Sequence, residues 1–312
     1  MFQAEIFLIL LGVLLLYLGG ELLVKNAALL ARAVGLSPLV VGLTVVAFGT
    51  SAPELAATLA AALRGTPEVA YGNVVGSNAA NLGLILAIAA LIRPIRAKAL
   101  FLRRELPFMV AVALLLWYVV ADGVVSRLEG GFLLALLVLY LLVLLTDREP
   151  PEVEEEFAAE FGRAARYVAL RVLLLALGVL FLALGASSLV EGAVAIARYL
   201  GVSERAIGLT VVAVGTSLPE LAAAVVAALR REGDILLGNV VGSNVFNVLG
   251  ILGTVAVVRP LFLERGPGPD LWGMVALSFV AWLFVWTGMR LGRREAAVLL
   301  AFYVFYVVAA FG

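Results

Sequence analysis

The sequence predicts an all-α membrane protein: ten transmembrane helices arranged as two inverted five-helix repeats, with the N-terminus and C-terminus outside. Three observations lead there. Of the 312 residues, 64% are hydrophobic and 14% charged, against about 45–50% and about 25% in a soluble domain. The run GLTVVAFGTSAPELAA at 42–57 returns as GLTVVAVGTSLPELAA at 208–223. Apolar segments come five to each copy, an odd number, so the second copy must enter the bilayer the opposite way up.

A spanning helix needs about 20 apolar residues. Apolar runs and polar breaks place segments at about 4–32, 38–64, 69–92, 105–121, 128–146, 167–199, 205–230, 235–258, 269–289 and 295–311. The opening MFQAEIFLILLGVLLLYL lacks a basic leader and a small-residue cleavage site, so it reads as a retained span rather than a signal peptide. Residues 147–166, DREPPEVEEEFAAEFGRAAR, form an acidic hydrophilic linker, too short for a folded domain. The chain thus divides into a first half at 1–146, the linker at 147–166, and a second half at 167–312. With the N-terminus outside, sixteen of the 22 Lys and Arg fall in inside loops and six in outside loops, which puts the linker in the cytoplasm.

Composition narrows the function. A net charge of zero gives no sign of nucleic-acid binding. The absence of Cys and His removes thiol chemistry, His-based catalysis and the usual zinc and haem sites. No G-x-x-x-x-G-K-[ST] loop supports ATP-driven pumping. No nucleophile or cofactor motif suggests an enzyme. No cofactor and no protein partner are expected, and the chain is expected to act as a monomer in the bilayer.

The repeat continues past its first motif. YGNVVGSNAANLG at 71–83 returns as LGNVVGSNVFNVL at 237–249, and Arg93–Pro94 returns as Arg259–Pro260. The match runs ungapped from about Gly20 to Pro94, against Ala186 to Pro260, at a constant offset of 166. Paired inverted halves place a binding site between them at the bilayer midplane.

Glu54 and Glu220 lie deep in apolar segments, where a bare carboxylate costs several kcal/mol, roughly 3 on insertion scales. No Lys or Arg lies between Arg32 and Arg64 or between Arg205 and Arg230, so a bound cation is the simplest source of compensating charge. Pro53 and Pro219 precede the two acids. A proline there removes a backbone donor and frees carbonyls near Ala47, Gly49, Ala213 and Gly215. Thr50, Ser51, Thr216 and Ser217 add hydroxyls. In the next span Asn73, Ser77 and Asn81 follow at i, i+4 and i+8 on one helix face, repeated by Asn239, Ser243 and Asn247. Asn78 and Asn244 fall off that stripe and read as helix packing, and Glu21 and Lys25 read as an ordinary helix ion pair. Every donor in the set is oxygen, which suits hard cations such as Ca2+ and Na+.

With these residues in place, the chain resembles the sodium/calcium exchanger branch of the cation/Ca2+ exchanger superfamily, of the prokaryotic type. The paired GTSxPEL and GNVVGSN motifs carry the resemblance. It implies metal ligands at Ala47, Thr50, Ser51, Glu54, Ser77 and Asn81, and at Ala213, Thr216, Ser217, Glu220, Ser243 and Asn247. It also implies alternating access, in which the first and sixth helices slide across a stationary core, in the plasma (inner) membrane of a prokaryote. Potassium-dependent relatives place Asp where this chain has Asn247, so no K+ requirement is expected. The short linker implies that the large Ca2+-sensing loop of animal exchangers is absent. The leading expectation is a Ca2+/Na+ antiporter. The alternative is a Ca2+/H+ or mixed-cation antiporter.

Overall fold

The computed structural model describes residues 3–99, 101–146, 161–201, 213–264 and 266–311, with side chains at 161–166, 213–214 and 310–311 left aside. The chain is mostly helical. Helix α1 (Gln3–Val34) is followed by α2 (Pro38–Val41), a π-helical turn at Gly42–Val46, α3 (Ala47–Thr50) and α4 (Ala52–Leu63). Then come α5 (Pro67–Ala80), a π-helical turn at Asn81–Ile85, and α6 (Leu86–Ile92). Strand β1 (Ile95–Arg96), a π-helical turn at Phe101–Glu105, α7 (Leu106–Val119), β2 (Val124–Val125) and α8 (Arg127–Thr146) close the first half.

The second half runs α9 (Phe161–Tyr199), α10 (Ala213–Thr216), α11 (Leu218–Arg230), α12 (Gly233–Phe246), a π-helical turn at Asn247–Leu252 and α13 (Gly253–Val258). It ends with β3 (Leu261–Phe262), α14 (Pro269–Gly288), β4 (Arg290–Leu291) and α15 (Arg293–Phe311). Residues 147–160 of the expected linker and 205–212 of the expected seventh segment lie outside the described residues, as do 202–204 before it. The backbone of 161–166 belongs to α9, so this helix begins six residues ahead of the expected 167. Its first six residues, FGRAAR, carry two arginines and no sustained apolar run, which is why hydropathy alone missed them.

Among the described residues, six helical stretches are long and apolar enough to cross a membrane: Gln3–Val34, Pro67–Ile92, Arg127–Thr146, Tyr167–Tyr199, Gly233–Val258 and Pro269–Gly288. Pro38–Thr50 with Ala52–Leu63, bent by 46°, forms a seventh if counted as one broken span. Shorter or more polar helices occupy the remaining expected segments. The distribution of polarity is that of a protein whose solvent is lipid. Phe7, Leu10, Leu142, Leu173 and Phe305 are exposed, while Glu54, Glu220, Asn78, Asn81, Asn244 and Asn247 are buried.

Two close approaches organise the packing. Along α1 and α9, Gly12 meets Gly185 and Leu189, Gly19 meets Gly178 and Leu182, and Gly192 meets Ile9. A Cβ at these glycines would lie 2.7–2.9 Å from the facing helix. The heptad spacing of Gly178, Gly185 and Gly192 keeps this seam turned to α1 over most of its length. In the core, Gly238 and Gly242 of α12 cross the π-helical turn of the second span. A Cβ at Gly238 would sit 2.6 Å from the Leu39 carbonyl oxygen, and one at Gly242 2.5 Å from that of Leu43.

Two short antiparallel ribbons join the halves. Ile95 pairs with Leu291 and Arg96 with Arg290, while Val125 pairs with Leu261 and Val124 with Phe262. Shifting β1 and β2 by the repeat offset gives β3 and β4, so each ribbon maps onto the other. The structural correspondence therefore continues beyond Pro94, where the sequence match fades.

Candidate cation site

The two broken helices set the geometry. Ser51 (φ −84°, ψ 5°) and Ser217 (φ −92°, ψ 6°) leave helical conformation at related points. Pro53 and Pro219 stand in the first turn of the helix that restarts, where a missing N–H is tolerated. Glu54 and Glu220 thereby fall in the first turns of α4 and α11. A helix N-terminus presents unpaired N–H groups and a positive dipole end, which favours a carboxylate. Two such termini meet in the middle of the protein, one from each half.

The contacts cross between halves. Ser51 Oγ donates to Glu220 Oε1 at 3.0 Å. Thr50 also lies against Glu220. Ser217 lies against Glu54 in the related place without closing a hydrogen bond. The two carboxylates act on one another electrostatically, and among the described residues neither is paired with Lys or Arg. Ala47 is fully buried, and its carbonyl oxygen accepts the Ser51 backbone N–H at 3.0 Å and faces Thr50 Oγ1 at 3.4 Å. Ala213 and Thr216 belong to α10. The side chain of Ala213 lies outside the description, and Thr216 is half-buried.

The polar stripe of the following span divides in two. Ser77 Oγ donates to the Asn73 carbonyl at 2.7 Å, while Ser243 Oγ is buried with no partner. Asn81 and Asn247 open the two π-helical turns, a distortion frequent at functional sites. Helix α4 packs against the turn at Asn247–Leu252, and α11 against the turn at Asn81–Ile85. Glu54 Oε1 and Oε2, Glu220 Oε2, Asn81 Oδ1, Asn247 Oδ1 and Ser243 Oγ are buried oxygens without a hydrogen-bond partner among the described residues.

Sequence reasoning missed several participants. Thr58 is fully buried; it donates to the Glu54 carbonyl at 2.6 Å and accepts from Asn73 Nδ2 at 2.8 Å. The position related to Thr58 is Ala224, which has no hydroxyl to offer. Asn239 accordingly has an unpartnered Nδ2, and its Oδ1 accepts from Thr50 Oγ1 at 3.1 Å. The mismatch between Thr58 and Ala224 was visible in the repeat alignment and is the signal that could have found this asymmetry. Asn78 and Asn244 make cross-half amide contacts that their off-stripe positions concealed. Glu21, expected to pair with Lys25, is instead held by Arg230 of α11, with Arg230 Nε 2.8 Å from Glu21 Oε1 and a second contact from Nη2 to Oε2.

A third buried carboxylate is already satisfied. Glu105 accepts from Arg104 Nε and Tyr140 Oη, each at 2.6 Å, and Tyr140 stacks on Phe108. Among the described residues no group of three or more His, Cys, Asp or Glu occurs. Neutral amide, hydroxyl and carbonyl oxygens must therefore complete any shell around Glu54 and Glu220.

Known proteins resemble this chain over most of its length. The sequence model of the family described as "Sodium/calcium exchanger protein" matches residues 4–146 and 170–312. The two matched stretches begin and end at the repeat offset. The putative antiporter CaxA of Alkalimonas amylolytica is 36% identical over 279 residues, covering 84% of each chain. The inner membrane protein YrbG of Escherichia coli is 36% identical, covering 82% of this chain and 81% of that one. The sodium/calcium exchanger MaX1 of Methanosarcina acetivorans is 34% identical, covering 86% and 87%. The solved sodium-calcium exchanger NCX_Mj, soaked with 10 mM Na+ and no Ca2+, superposes with a TM-score of 0.87 at 31% identity over 99% of both chains.

Proposed function

The chain belongs to the sodium/calcium exchanger protein family of membrane antiporters, and on that premise we propose that it exchanges Ca2+ for Na+ by alternating access. The reading rests above all on the six buried, unpartnered oxygens of Glu54, Glu220, Asn81, Asn247 and Ser243. Leaving a polar group buried and unsatisfied costs about 1–3 kcal/mol, and more for a charge. Six of them in one fold is a large penalty unless cations bind there. Two carboxylates balance one divalent ion. The same oxygens serve several Na+ ions in its absence, so competition for one site yields exchange.

In this proposal the ligands are the side chains of Thr50, Ser51, Glu54, Ser77 and Asn81 with the Ala47 carbonyl, and their partners Thr216, Ser217, Glu220, Ser243 and Asn247 with the Ala213 carbonyl. Ten spans form two inverted halves, 1–146 and 167–312, with both termini outside and the acidic linker in the cytoplasm of a prokaryote. The glycine seam makes α1 and α9 one rigid unit, suited to sliding past the core.

The test is 45Ca2+ uptake into proteoliposomes loaded with Na+ and diluted into Na+-free buffer, against K+-loaded vesicles and vesicles with an imposed pH gradient. Uptake that needs internal Na+ and vanishes in Glu54→Gln supports the exchanger. Uptake driven by the pH gradient alone sinks Na+ coupling, and no Ca2+ uptake under any gradient sinks the choice of ion.

A further inference from the structure

Asn78 and Asn244 explain how the two amides at the site are aimed. Asn81 Nδ2 of the first half donates to Asn244 Oδ1 of the second at 3.1 Å. Asn247 Nδ2 of the second half donates to Asn78 Oδ1 of the first at 3.0 Å. All four side chains are buried, none more than 3% exposed. Each contact is the repeat image of the other.

An amide group is two-faced: its oxygen attracts a cation and its NH2 repels one. A half-turn about the last side-chain bond exchanges them with little change in shape. Asn81 and Asn247 serve a cation only if that half-turn is prevented. The network prevents it. Asn78 Nδ2 donates to the Asn244 main-chain carbonyl at 3.2 Å, and that oxygen can only accept. The nitrogen end of Asn78 is thus fixed, its Oδ1 must face Asn247, and Asn247 must turn its own nitrogen to Asn78. Asn244 is fixed likewise, its Nδ2 lying 3.5 Å from Met109 Sδ. The result is that Asn81 Oδ1 and Asn247 Oδ1 have no hydrogen-bond partner among the described residues.

We propose that Asn78 and Asn244 are positioning residues for cation binding, each fixing the amide ligand of the opposite half with its oxygen toward the ions. The proposal rests on the assignment of Asn81 and Asn247 as ligands. The two positions are not equal in strength. A carbonyl anchors Asn78, whereas a thioether, a weak acceptor, anchors Asn244. Position 275, related to Met109, is Val and offers Asn78 no such acceptor. Asn78 therefore matters more.

The experiment is equilibrium binding of 22Na+ and 45Ca2+ to the purified full-length protein, with thermal unfolding measured in parallel. Asn78→Ala is expected to raise the half-saturating concentration of at least one cation roughly fivefold or more. Adding Asn247→Ala to Asn78→Ala is expected to cause little further loss, because an unaimed amide no longer contributes. Wild-type affinity in Asn78→Ala beside a weakened Asn247→Ala overturns the positioning role alone. So do losses that multiply in the double variant. If Asn247→Ala itself binds both cations as wild type does, the ligand assignment fails and the positioning role with it.

Discussion

Ser51 in the first half donates its hydroxyl hydrogen to Glu220 in the second at 3.0 Å, while Glu54 receives no such bond from Ser217. The two carboxylates of one pseudo-symmetric site are therefore held differently. A hydrogen bond to a charged acceptor is worth about 1.5–3 kcal/mol. Ser51→Ala should weaken Ca2+ binding about tenfold or more, and Ser217→Ala should weaken it less. Half-saturating Ca2+ in transport assays checks the ranking, and equal effects would mean that the two carboxylates are held alike.

Glu54→Gln and Glu220→Gln should each abolish exchange while leaving the protein folded, since a neutral amide suits a buried place better than a bare charge. Thermal unfolding separates this from misfolding. Ca2+ at 100 times its dissociation constant should stabilise the wild type by about 2.7 kcal/mol, and should stabilise neither variant. A calcium-dependent rise in melting temperature in either one would remove that carboxylate from the site.

Asn247→Asp adds a third carboxylate beside the existing two. Its protonation competes with cation binding, which an amide cannot do. The variant should show a pH profile of uptake different from that of the wild type, together with a changed number of Na+ ions per Ca2+. An unchanged profile would place this side chain out of reach of the ions.

Gly238→Ala should destabilise the core by about 1–3 kcal/mol, because its Cβ would sit 2.6 Å from the Leu39 carbonyl oxygen, a backbone atom that cannot swing aside. Melting temperature and transport should fall together. A variant as stable as wild type would show that α12 can draw back from the second span without penalty.

Glu21→Gln should change stability little. The Glu21–Arg230 pair joins α1 to α11, but its side chains are 21% and 43% exposed, and exposed pairs contribute little. A melting-temperature shift below about 3 °C is expected, vanishing at high salt.

Much of the candidate site was legible in the sequence because its signals are chemical and repeated. Glu54 and Glu220 are acids without basic neighbours in apolar runs, each behind a proline, and the structure places both at restarted helix termini. What escaped the sequence depends on rotation and on distant partners. Asn78 and Asn244 sit off the stripe by helical count, yet a helix crossing brings Asn78 to Asn247 and Asn244 to Asn81 of the other half. Glu21 lies one helical turn from Lys25, but tertiary packing offers a bidentate arginine instead. Two-residue strands have no periodicity to detect, so the pairing of β1 with β4 could not be foreseen. Nor could the polar first turns of α9.

Those ribbons bear on how the chain is made. Ile95 has to wait for Leu291, nearly two hundred residues downstream. At about 5–20 residues per second, the ribosome leaves the β1 edge open for roughly 10–40 s after it emerges. Val125 finds Leu261 sooner. The last hairpin to be inserted therefore acts as a clasp on the first half. Any nascent or truncated chain that stops short of residue 290 lacks the partner of β1 and leaves that strand edge unpaired, a local mark of incompleteness.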